Sequence, residues 1–277
     1  MSLDFLIPIA TYPDPTPKAG LRRVLDLAAT VTGRLTAIVH EVDIPPLHNM
    51  LAELVLDVSA MAAGAEARSR DRGQEIVREL RHLAEFFHLP FEARTLRCRP
   101  EEAADRIAFA ARTHDITLMV PGRQSAEQRD VAEAVIFGGG GPVVLFPEEE
   151  APAHLRTVVI AWDGGRAAAR AAHDALPLLA HAKEVCVATF VDDKPHAAAG
   201  LDELRQLLGN HDVQTRHVEG VRGAATIGDA LQDLALTQDA GLLVMGAYGH
   251  NRVQEFVLGG ATRTVLRHVR LPVLMSH

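Results

Sequence analysis

The same order of apolar runs occurs twice along this chain of 277 residues. "FLIPIAT" (5–11) echoes "TVVIAWD" (157–163), and "LTAIVHEVD" (35–43) echoes "VCVATFVDD" (185–193). "DITLMVPGRQS" (115–125) matches "DAGLLVMGAYG" (239–249) as an acid, an apolar run and a glycine, and "GPVVLFP" (141–147) matches "LPVLMSH" (271–277). Self-similarity on this scale predicts one structural plan used twice. The seam falls near the acidic, proline-bearing "PEEEAPAH" (147–154), which divides the chain into residues 1–150 and 151–277.

Within each copy, short β-rich runs alternate with stretches of helical periodicity. In the second copy strands are expected at 156–162, 184–191, 213–218, 241–246 and 271–276. "RAAARAAHDALPLLAHA", "GLDELRQLLGN", "TIGDALQDLALTQ" and "TRTVLRHV" are the helices between them. Continuous runs such as "GLLVMG" suit parallel strands covered on both faces. The fold class is therefore α/β: two tandem Rossmann-like domains, each a five-stranded parallel sheet flanked by helices. Such sheets bind ligands beyond the carboxyl ends of their strands. The first copy carries a long insert at 44–90, expected to hold at least one long helix. Its apolar part, "MLAELVLDVSAMAAG", is open to two readings, a packing helix or a cover for a partner surface.

A formal net charge of −8 argues against nucleic-acid backbone binding. The two cysteines, Cys98 and Cys186, have no metal-ligand spacing and fit a reducing compartment. "MSLDFLIPIATYPDP" has no basic leader, and no run reaches the ~18 apolar residues that span a bilayer. A cytoplasmic protein without membrane attachment is expected. The three lysines, Lys18, Lys183 and Lys194, follow no glycine, so the lysine-bearing phosphate loop is absent. GxGxxG after a first strand, GxSxG and HExxH are absent as well, and no catalytic residue is assigned.

What remains is "VMGAYGHNRVQEFVLGGATRTVL" (244–266), which leaves the fourth strand of the second copy at its functional end. Gly246, Gly249, Gly259 and Gly260 precede a helix expected to begin near Thr262. Free N–H groups and a dipole at a helix start form an anion site; a plain glycine-rich cap has the same spacing. The pattern Gly246-x2-Gly249-x9-Gly259, then a small residue and Thr262, resembles the nucleotide loop of the universal stress protein family. Residues 239–277 resemble that family's carboxyl-terminal signature, and the duplicated strands resemble its tandem, two-domain members. The resemblance implies an adenine nucleotide α-hydrolase-like fold and ATP, with Mg²⁺ as a possible companion. Asp163 would stand near the nucleotide, Val191 against adenine, and Gly246, Gly249, Gly259, Gly260 and Thr262 at the phosphates and ribose. Asp163 is open to a second reading as a helix cap, and Arg252 and Arg263 reach phosphate or stay solvated. Many ATP-binding members have serine or threonine where this chain has Gly260, so one hydroxyl is missing.

The first copy departs further. Gly122 stands in the place of Gly246, Ser125 in that of the next glycine, and Tyr12 in that of Asp163. Ser125 to Pro142 is 17 residues, against 23 from Gly249 to Pro272, so the loop and its helix are expected to be cut by about two turns of helix or an equivalent loop. "FGGGGP" runs straight into a strand and leaves no helix start for an anion. One nucleotide site is therefore expected, in the second copy. In the family, last strands of two domains commonly pair across a dimer axis. Here "GPVVLFP" and "LPVLMSH" are expected to pair within one chain as a pseudo-dimer, and a homodimer of the whole chain stays open. The function implied is a stress-associated nucleotide-binding protein acting through protein partners, at most a slow ATPase. The alternatives are a scaffold of the same fold that binds no nucleotide, and an adenylating enzyme, for which "AWDGGRAA" is a poor phosphate loop.

Overall fold

The computed structural model describes residues 2–45, 57–149, 154–190, 199–247 and 260–277. The first half runs β1 (Leu3–Ile9), α1 (Lys18–Thr30), β2 (Gly33–Val42), α2 (Val58–Phe86), β3 (Phe91–Cys98), α3 (Pro100–Ala111), β4 (Ile116–Met119), α4 (Ala126–Gly138), β5 (Val143–Leu145). The second repeats the plan with β6 (Thr157–Ala161), α5 (Arg166–Leu179), β7 (Glu184–Phe190), α6 (Leu201–Gly209), β8 (Thr215–Gly220), α7 (Ile227–Thr237), β9 (Leu242–Gly246), α8 (Gly260–Arg267), β10 (Val273–Ser276). The third strand of the second half starts at Thr215, two residues later than its apolar pattern suggests, because buried Val213 closes the preceding turn. The 44–90 insert does form a long helix, α2, capped by Asp57 accepting from the Ala60 N–H at 2.9 Å. Residues 50–56 of its apolar part lie outside the described residues.

All ten strands form one sheet in the order β3-β2-β1-β4-β5-β10-β9-β6-β7-β8. Every neighbouring pair is parallel except β5 and β10, which run antiparallel with Val144 opposite Leu274. Each half is thus a five-stranded parallel sheet of identical strand order, and the two meet through their last strands. Side-chain chemistry explains which edges meet. "VVL" in β5 and "VLMS" in β10 are wholly buried. The outer strand β3 is largely exposed and carries Glu92, Arg94 and Arg97, while β8, only partly buried, carries Arg216 and Glu219. Charged outer edges resist further pairing; apolar inner ones require it.

Alternation along the strands divides the core into two layers. Phe5, Ile7 and Ile9 of β1 pack with α1 and α2, and Val158 and Ile160 of β6 with α5 and α6. Leu6 and Val159 face the other way, into the layer of α3, α4, α7 and α8. Helix α1 shows why these segments are helical: Leu21, Val24, Leu25 and Ala28 fall on one stripe at three-and-four spacing and are buried together.

The ladders also fix which residues of the halves correspond. Thr36, Leu6, Thr117 and Val143 form one row across the first half. Cys186, Val159, Leu243 and Val273 form its counterpart, each row ending on the valine after a proline. Counting along the strands from these rows, Val120 answers to Gly246, Ala10 to Asp163 and His40 to Phe190. This corrects the sequence pairing of Gly122 with Gly246 and of Tyr12 with Asp163 by two residues each; string similarity slid the copies along a pattern of period two.

Candidate functional site

In each half the strand order reverses between the first and fourth strands, the point where open α/β sheets bind ligands. In the second half those strands are β6 and β9, paired with Ile160 beside Val244. Asp163 leaves β6 and Gly246 ends β9, so both lie at the carboxyl rim of the switch point. Gly260 is the first residue of α8. These three are brought to the end of the sheet where a ligand is expected. Val191, Gly249 and Gly259 lie outside the described residues.

Asp163 is half-buried, and its Oδ1 accepts the Gly165 N–H at 2.8 Å, just before α5 begins. Gly165 is the N-cap of α5 and no side chain caps that helix, so Asp163 makes a turn ahead of the helix and does not fill the capping role weighed in the sequence. The bond engages Oδ1 and presets the strand-to-helix turn.

Gly246 has a packing reason to be glycine. A Cβ there would lie 2.5 Å from the Ala167 carbonyl carbon and the Ala168 nitrogen, in the first turn of α5. The first half solves the same approach with the glycine on the opposite partner: a Cβ on Gly20 of α1 would meet a Val120 methyl at 2.5 Å. The helix comes this close to the sheet in both halves, and one side must give up its side chain. Gly260 is different, since among the described residues a Cβ on it would meet nothing within 4 Å. Thr262 is 1% exposed and buried with Val265 and Leu266 on the inner face of α8. Arg263, on the same helix, is exposed.

The first half keeps its last helix, and the shortening expected there falls on the loop. Helix α4 follows β4 directly, with Ser125 accepting from the Gln128 N–H at its start. What is shortened is the loop: residues 120–125 join β4 to α4, whereas 247–259 join β9 to α8. The glycines of "FGGGGP" end α4 instead of opening a loop. The N–H of Gly122 is occupied, donating to Gln128 Oε1 at 2.7 Å, while Gln128 Nε2 donates to the Asp14 carbonyl at 2.7 Å. Gln128 therefore bridges the two loops over the first half's switch point. The sequence signal for this was Gln128 three residues beyond Ser125, the spacing of a capping pair.

Comparison with known proteins follows the same division. The model of the universal stress protein family matches residues 154–277. Among solved structures, a universal stress protein from Archaeoglobus fulgidus DSM 4304 superposes with a TM-score of 0.66 at 15% identity, covering 98% of this chain and 97% of that one. A functionally unknown protein from Pseudomonas aeruginosa PAO1 gives 0.53 at 16% identity, covering 98% and 92%. At these identities the likeness establishes the fold over both halves. No curated protein matches the sequence.

Proposed function

The chain belongs, through residues 154–277, to the universal stress protein family, and on that premise we propose that it is a stress-associated protein binding one adenine nucleotide at the switch point of its second half. The observation that supports this reading is that β6 ends just before Asp163, β9 ends on Gly246 beside it in the sheet order, and the chain enters α8 at Gly260. ATP is the nucleotide proposed. The α8 N-terminus and the glycine-rich segment before it would face the phosphates, and Val191 the base. Asp163, at the rim where β6 ends, is the carboxylate that would help hold a Mg²⁺ accompanying the phosphates. The first half serves as a built-in pairing partner, its β5 closing the edge that β10 presents. We assign no catalytic residue. The site's role is to report nucleotide through protein partners in the cytoplasm. Among the described residues no helix is long and apolar enough to cross a membrane.

The experiment is to denature the purified protein, search the supernatant for adenine nucleotide, and titrate ATP with and without Mg²⁺. Bound nucleotide, or saturation below millimolar ATP, is expected; neither being found overturns the reading. Gly260→Ser gives the sharper outcome. Among the described residues nothing stands within 4 Å of a Cβ at Gly260, and a hydroxyl donating to phosphate contributes about 1.5 kcal/mol. ATP affinity should rise by about tenfold. The missing hydroxyl is also what favours the second reading, a scaffold of this fold that binds no nucleotide. In that case Gly260→Ser changes nothing.

A further inference from the structure

The switch point of the first half holds a cavity of about 310 Å³, at the small end of the range of ~300–1,000 Å³ typical of small-ligand sites. It lies between the carboxyl ends of β1, β2 and β4 and the helices α3 and α4. Its walls are mainly apolar, from Pro8, Ala103, Ile107, Met119 and Val131. Four carboxylates line it as well, Asp14, Glu101, Glu127 and Asp130, and among the described residues no lysine or arginine does. All four residues are exposed, and within the described residues none takes part in an ion pair. Of the guanidinium groups on neighbouring segments, Arg68 lies 6.0 Å over the Tyr12 ring and Arg106 pairs with Glu102. Arg72 donates to the Thr11 and Pro13 carbonyls, and Arg129 to the Arg123 carbonyl.

This lining excludes a nucleotide. Two helix starts border the cavity, but Glu101 and Glu102 occupy the first turn of α3 and Glu127 that of α4. Those carboxylates compensate the dipole ends that would otherwise attract phosphate. The Gly122 N–H is taken by Gln128. His40, on the cavity wall, adds a further acceptor. Burial pushes its imidazole below the ordinary range and keeps it neutral, with Nε2 3.2 Å from the Cys98 carbonyl. Nε2 therefore carries the proton, and Nδ1 is left with a lone pair. A metal ion is disfavoured too, because among the described residues no three His, Cys, Asp or Glu side chains converge as a metal requires.

We propose that this cavity binds a small organic cation, an ammonium group on an apolar body, with the body among Ile107, Met119 and Val131 and the charge facing the four carboxylates. The site is separate from the nucleotide site proposed above and does not depend on it. It descends from the same switch-point geometry, with acceptors in place of donors.

The test uses the full chain and three probes of one shape: 2-phenylethylammonium, 2-phenylethanol and 3-phenylpropanoate, titrated by calorimetry or ligand-observed NMR near neutral pH. The ammonium should bind at least about tenfold more tightly than the neutral and anionic probes. The double variant Glu101→Gln, Glu127→Gln should lower ammonium affinity by roughly tenfold while leaving phenylethanol unchanged. Both positions are exposed, so the variant keeps the fold. Ala104→Phe, which fills the cavity from α3, should remove binding of all three without altering the ATP titration. Equal affinity for the anionic probe, no ammonium binding at millimolar concentration, or an unchanged response in either variant overturns the proposal.

Discussion

Gly246 and Gly260 are both glycines beside a proposed ligand, yet they answer to different forces. Gly246→Val drives a branched side chain into the backbone of α5 and should cost about 1–3 kcal/mol, which lowers the melting temperature by several degrees. Gly260→Ala meets nothing within 4 Å among the described residues and sits in a helix, where alanine is favoured, so its melting temperature should hold or rise. Thermal melts of the two variants separate the roles. Gly246 is accordingly a poor probe of nucleotide binding, and Gly260 a clean one. The glycine pattern was legible in the sequence, but its cause at Gly246 was not. Nothing in "VMGAYG" shows that Ala167 and Ala168 come from another element to press on it. His40 supplies a second residue-scale expectation. Desolvation holds its pKa below the ordinary 6.5 in the folded state, outweighing the opposing field of Glu127 and the Cys98 carbonyl. The unfolded chain therefore binds the extra proton first as pH falls. The stability that neutral His40 contributes is full above about pH 6.5 and declines below it. His40→Phe, which copies Phe190 of the other half, should remove this component. Urea midpoints at pH 7.5 and 5.5 should diverge more in the wild type than in the variant.

At the scale of elements, strand and helix positions followed closely from apolar periodicity, because buried parallel strands and amphipathic helices write different periods. Loop chemistry followed less well. A count of residues between Ser125 and Pro142 suggested a cut of about two turns of helix or an equivalent loop, and the structure shows that the loop gave up the residues while α4 is present. Length alone cannot say which of two adjoining elements gave up residues; the capping pair Ser125–Gln128 could. The seam between β5 and β10 has a sharper consequence. Val144 and Leu274 are both fully buried and opposite one another, so Val144→Asp places a carboxylate where both halves need an apolar wall. A loss of about 3 kcal/mol or more is expected. The loss should reach both halves. Cys98 in the first and Cys186 in the second are buried thiols whose pKa burial raises, and so they are unreactive while the fold is closed. In the variant, both should become accessible to a thiol reagent at similar rates, and Trp162 fluorescence should report the same transition. Labelling of Cys98 alone would show that the halves unfold independently.

The whole molecule reads as one plan executed twice under different chemical instructions. The duplication, the five-stranded halves and their meeting edges were all present in the sequence as ordered apolar runs. The cavity of the first half was not, because its carboxylates come from the β1–α1 loop, α3 and α4, which are far apart along the chain. Its single local sign was a histidine in "LTAIVHEVD" where the other copy has phenylalanine. The antiparallel meeting of β5 and β10 fixes one thing more. Parallel strands in one half run opposite to those in the other, so the two carboxyl rims face away from each other. A macromolecule gripping one rim leaves the other uncovered. Two small molecules bound at the switch points would never meet, and any communication between them must cross the seam, where Val144 faces Leu274 and Phe137 of α4 meets His277 edge-on.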